Sequence, residues 1–136
     1  MIDLDGFRAH WSPRLLSIMR VVTALLFMQH GAQKLFGLPA DPTKVPVDLF
    51  SLMGLAGVLE FFGGLLILLG LFTRPVALLL AGEMAVAYFM AHAPKGFWPL
   101  LNRGELAALY CFVFLYLAAA GGGAWSADRR RRKPGA

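Results

Sequence analysis

LFSLMGLAGVLEFFGGLLILLGLF, residues 49–72, decides the fold. The stretch holds a single ionisable group, Glu60, and as a helix it would be about 36 Å long, enough to cross a bilayer. Gly57, Glu60 and Gly64 are spaced by three and four residues and so share one face, where a second helix can approach closely and meet the carboxyl. A charge at that depth costs roughly 2.5 to 3.5 kcal/mol. Glu60 therefore requires a partner, a proton or water.

The chain around this stretch has a membrane composition: 136 residues, 58% hydrophobic and 15% charged, against the 45–50% apolar and roughly 25% charged of a soluble domain. Four spans and their connections use up that length, leaving no room for a soluble catalytic domain. The formal charge is +5, and a basic run occupies residues 129–133. A run of this kind just after a span reads as an anchor beside anionic lipid rather than a nucleic-acid site. The lone cysteine, Cys111, rules out an intramolecular disulfide or a CxxC pair.

In chain order, the polar N-terminus has no signal-peptide core and is expected to stay attached. Ser12 and Pro13 suggest a helix start, with a first span over about residues 15–37. That span carries Arg20, Gln29, His30, Gln33 and Lys34; Arg20 and Lys34 lie on one stripe that should face other helices, with the Lys34 ammonium snorkelling to the interface. A proline-rich loop follows over residues 38–48, then the 49–72 span, closed by Thr73, Arg74 and Pro75. The third span, about 76–92, carries Glu83 and ends at His92; Phe97 and Trp98 mark an interface; the fourth, about 105–121, begins at Glu105. Three glycines, 121–123, then break the helix before a basic tail, 124–136. The expected fold is all-α, an integral membrane four-helix antiparallel bundle forming one domain over residues 1–136.

Counting Lys and Arg outside the spans places Arg8, Arg14, Arg74, the run 129–132 and Lys133 on one side and Lys44, Lys95 and Arg103 on the other, so both termini are expected in the cytoplasm. Helix rise sorts the polar groups into two layers. The inner layer holds Arg20, Glu83 and Glu60, with Arg20 paired to Glu83. The outer layer holds His30, His92, Lys34 and Glu105. Glu60 is then left with His30 or with protonation, which suits proton handling or quinone contact. The alternative is that these groups only hold helices together. No ligand pair stands at metal-site spacing, so no metal is expected.

The ordered set of motifs resembles the DoxX family of small membrane proteins. It comprises Arg20 with His30, Gly31, Lys34, Leu35 and Phe36; Glu60 with Gly63 and Gly64; LGLFTRP; Met84, Ala87 and His92; FWP and NRGE; and GGGAWSAD with Asp128. The resemblance implies a helical bundle associated with membrane redox systems: some relatives are subunits of quinone-reducing complexes, others look like partners of thiol and superoxide detoxification proteins. Related four-helix reductases use cysteine pairs, which this chain lacks. The expected role is an inner-membrane accessory subunit of a quinone-linked oxidoreductase or redox-stress complex, partnered by another redox protein, with homo-oligomers compatible. The alternatives are a scaffold with a structural polar core, or a small-solute or proton transporter.

Overall fold

A computed structural model describes residues 2–132. Among them all regular structure is helical, without strands. Three helices are long and apolar enough to cross a membrane: α1 (Leu4–Phe36), α2 (Leu52–Leu69) and α3 (Thr73–Lys95). A one-turn helix, α4 (Pro99–Asn102), precedes the shorter apolar α5 (Glu105–Ala120), and α6 (Ala127–Arg132) ends the described chain. Lys133 and the tail residues that follow it, 134–136, lie outside the described residues.

Helix α1 starts earlier than the Ser12–Pro13 signal suggested. Asp3 is the cap, accepting from Gly6 N, and Pro13 sits inside the helix. Proline removes one helical donor; around it Arg14 Nη1 donates to His10 O, and Ala124 N donates to Pro13 O at 2.9 Å. Gly37 ends α1 in the left-handed conformation. Ser51 caps α2 by accepting from Gly54 N at 3.0 Å, and Gly70, at φ 67°, closes it. Both α2 and α3 contain a π-helical turn, Leu59–Gly63 and Tyr88–His92 respectively. Such turns displace side chains from the α-helical register and cluster at functional sites.

Helix α1 packs along α2, and α3 packs most extensively on α5. Between them lies a core of Ala24, Phe27, Ile67, Ala77, Leu80, Ala81, Met84, Tyr110, Phe114 and Leu117. Phe27 joins the two pairs, its ring edge-on to Phe114 at 4.8 Å and to Tyr110 at 5.1 Å between centroids. The small-residue face of α2 meets α1 as its spacing implied. A Cβ on Gly57 would stand 3.0 Å from Lys34 Cβ, and one on Gly31 would stand 2.8 Å from Gly57 O. Leu15, Ile18, Val22, Leu25, Leu78, Phe89 and Phe112 point outward and exposed, as lipid-facing positions do.

The tail is not a free anchor. After Gly121 it folds back beneath the bundle: Trp125 N donates to Ser17 Oγ at 2.9 Å, and Asp128 N to Gly70 O at 2.9 Å. Gly123 makes this turn at φ 84°, and a Cβ there would stand 2.6 Å from Pro13 O. Asp128 Oδ1 and Oδ2 accept from Phe72 N and Thr73 N, each at 2.8 Å, capping α3 from outside. Arg131 lies over the Phe72 ring at 5.1 Å.

Candidate functional site

The polar groups of the spans assemble differently from the two-layer expectation. Lys34 does not snorkel outward; its ammonium turns into the bundle and donates to Glu60 Oε1 at 2.7 Å and Oε2 at 2.5 Å. The side chain of Glu60 is 5% exposed and that of Lys34 21%. The reason is where depth is counted from. Glu60 lies eight residues into α2, about 12 Å from its near end, and the long lysine stem covers the offset between the two helices. The glycine contact brings the backbones close enough for this, and the π-helical turn carries Glu60.

Arg20 does not pair with Glu83. Its Nη2 donates to Trp125 O at 2.8 Å, Asp128 is the carboxylate within electrostatic range, and the residue is 1% exposed. The returning tail explains the difference: it supplies a carbonyl and an acid at the end of the bundle, which a count restricted to the spans omits. Arg20 Nε and Nη1 have no hydrogen-bond partner among the described residues.

Glu83 is left as a carboxyl whose two oxygens are buried without a hydrogen-bond partner among the described residues, within electrostatic range of Glu60 and Lys34. His30 lies within range of Lys34, and its ring meets Tyr110 edge-on at 6.1 Å; Tyr110 in turn lies within range of Glu60. Lys34, Glu60, Glu83, His30 and Tyr110 thus form one polar centre drawn from α1, α2, α3 and α5. Tyr110 escaped sequence reasoning because it sits in an uninterrupted apolar run; only its distance from any interface sets it apart from an aromatic belt residue.

His92 and Glu105 stand outside this centre. His92 Nδ1 is 3.0 Å from Asn102 O, and Glu105 is exposed in the first turn of α5, where a carboxylate is favoured by the helix dipole. The outer layer therefore does not form, since Lys34 points away from it. At that end the ordering residue is Asn102, fully buried, whose Nδ2 donates to Gly96 O at 2.9 Å and whose Oδ1 accepts from Gly104 N at 2.8 Å. Among the described residues no three His, Cys, Asp or Glu side chains come together as a metal site.

The DoxX family model matches residues 15–93, which include Arg20, His30, Lys34, Glu60 and Glu83. A Haemophilus influenzae protein described as uncharacterised is 43% identical over 134 residues, covering 96% of this chain and 97% of that protein. An uncharacterised membrane protein of Mycobacterium tuberculosis is 30% identical, covering 85% of this chain and 80% of its own. The inner membrane protein YqjF of Escherichia coli is 33% identical over 122 residues, covering 85% and 91%. No solved structure matches. With a family model spanning more than half its length, a relative alike from end to end and three helices fit to cross a bilayer, this chain is a membrane protein that belongs to the DoxX family.

Proposed function

We propose that the chain is a single-domain, four-helix antiparallel bundle of the inner membrane, with both termini in the cytoplasm, serving as an accessory subunit of a quinone-linked oxidoreductase. The observation that carries this reading is Glu83: both carboxylate oxygens are buried, without a hydrogen-bond partner among the described residues, and within electrostatic range of the Lys34–Glu60 pair. A carboxyl placed only to hold helices together would be hydrogen-bonded, because leaving a buried acceptor unmade costs about 1 to 3 kcal/mol. An unmet carboxyl within electrostatic range of an ammonium suits a proton in transit. Reduction of a quinone to a quinol takes two electrons and two protons. Lys34, Glu60 and Glu83 are groups able to pass the protons; the electrons must come from a partner, since this chain carries one cysteine and no pair to cycle.

The test is purification of the tagged full chain from native membranes, with complementation by Glu60→Gln and Glu83→Gln at matched protein levels. Co-purification of a redox-active partner and loss of complementation by either variant supports the subunit reading. Full complementation by both, with no redox partner retained, overturns it in favour of a scaffold. Reporter fusions after Arg132 and within residues 39–48 test the topology; external signal from the first refutes it.

A further inference from the structure

We propose that the end of the bundle carrying the basic tail holds a binding site for one anionic phospholipid, with the phosphodiester between Arg14 and Arg129 and an acyl chain along α1. The feature is a cavity of about 280 Å³ between α1 and the returning tail, lined by His10, Pro13, Arg14, Trp125 and Arg129 among others. It is large enough for a glycerophosphate headgroup. Two guanidiniums reach it from different elements, and among the described residues no carboxylate lines it and neither arginine is in an ion pair. Asp128, the nearest acid in sequence to Arg129, is occupied by the Phe72 and Thr73 amides.

Depth and shape favour a lipid over a soluble anion. Hydrocarbon takes about twenty helical residues, which counted back from the end of α1 at Phe36 finish near Leu16. Arg14 thus stands at the headgroup level. His10, Arg14, Ile18 and Val22 follow one another at a spacing of four and so share a ridge of α1; Ile18 is 45% and Val22 50% exposed. The cationic pair therefore sits at the head of an apolar, lipid-facing track. Trp125, 58% exposed beside the cavity, and Trp11 on the same end of α1 are placed as interfacial aromatics are. The fold-back that puts Trp125 and Arg129 opposite Arg14 is fixed by Ser17 and Gly123, so the site is built by the bundle and not by a floating polybasic segment.

The test compares the full-length protein with Arg14→Gln/Arg129→Gln and with Arg130→Gln/Arg132→Gln, which removes the same charge away from the cavity. Each is incubated in micelles with equimolar phosphatidylglycerol and phosphatidylcholine and read by native mass spectrometry. The wild-type protein and the distal variant should retain one phosphatidylglycerol in preference, and the cavity variant should lose that preference on the order of tenfold. Arg129→Gln alone, whose side chain makes no hydrogen bond among the described residues, should show a partial loss with unchanged melting, which separates binding from folding. Equal losses in the cavity and distal variants, or equal retention of the two lipids by wild type, overturns the site. Titration with inorganic phosphate checks the source: saturation of the site by phosphate at millimolar concentration would make it a soluble-anion site and overturn the lipid assignment.

Discussion

Lys34 and Glu60, on neighbouring helices and 26 residues apart, form the only ion pair among the described residues, with Nζ 2.7 Å from Oε1. A buried pair of this kind adds little net stability, but breaking it leaves a charge without compensation. Lys34→Met should destabilise the bundle by about 3 kcal/mol or more. Adding Glu60→Gln should recover part of that loss, with a coupling energy of roughly 1 to 3 kcal/mol. Thermal unfolding in one detergent measures all four corners of the cycle. Strict additivity would mean that the contact carries no energy.

Arg20 is tied to the tail, not to Glu83. Arg20→Ala removes a charge-assisted bond to the Trp125 carbonyl, worth about 1.5 to 3 kcal/mol, and should speed hydrogen exchange across residues 122–132. Glu83→Gln added to it should not restore protection. Restoration by that second change would place Glu83 opposite Arg20 after all.

Asp128 gives tail docking a pH dependence whose sign follows from its surroundings. Burial pushes its carboxyl up, but the backbone N–H groups of Thr73 and Phe72 outweigh this and hold it below the ordinary carboxylate range. A depressed folded value means that the stabilisation is present above the unfolded value, about 3.9, and is lost as pH falls through the folded one. In a Trp11→Phe/Trp98→Phe background, Trp125 fluorescence should stay constant from about pH 8 to 5 and change only below about 4. Asp128→Asn should weaken docking by about 1 kcal/mol at neutral pH and abolish that transition. An unchanged acid transition in the Asn variant would assign it to another group.

Gly31 is where α1 and α2 touch. A Cβ there would collide with the Phe61 backbone nitrogen and stand 2.8 Å from Gly57 O, and backbone cannot step aside as a side chain can. Gly31→Ala should cost about 1 to 3 kcal/mol and loosen the Lys34–Glu60 pair with it. Gly82→Ala is the control: among the described residues nothing lies within 4 Å of its Cβ position, so stability should hold or rise by up to about 1 kcal/mol. Equal effects of the two substitutions would show that helix propensity, not contact, governs both.

Apolar helices long enough to cross a membrane are legible in sequence because hydrophobic length and glycine spacing are local signals. Gly57, Glu60 and Gly64 identified the packed face of α2, and the contact with α1 follows from it. Pairings were less legible. The partner of Arg20 is a carbonyl 105 residues away, and backbone groups look alike in every sequence. A lysine near a helix end usually snorkels outward; the direction of Lys34 follows instead from the close approach of α1 and α2 at Gly31, which no single-helix reading contains. Tyr110 and Asn102 carry no local signal, for opposite reasons: one lies in an uninterrupted apolar helix, and the other is a polar residue that the fold buries fully.

The Asp128 cap also bears on the order in which the protein is made. The amides of Phe72 and Thr73 emerge from the ribosome long before the carboxylate that receives them, which lies 56 residues later. Through most of synthesis the junction of α2 and α3 must remain uncapped while α4, α5 and the glycine turn are laid down. Closure of that junction is therefore a late event, one that occurs only when nearly the whole described chain is in place. Chains ending at 126 should in consequence be cleared by membrane proteases faster than chains ending at 132, and pulse-chase lifetimes that match would show that the junction holds without its latch.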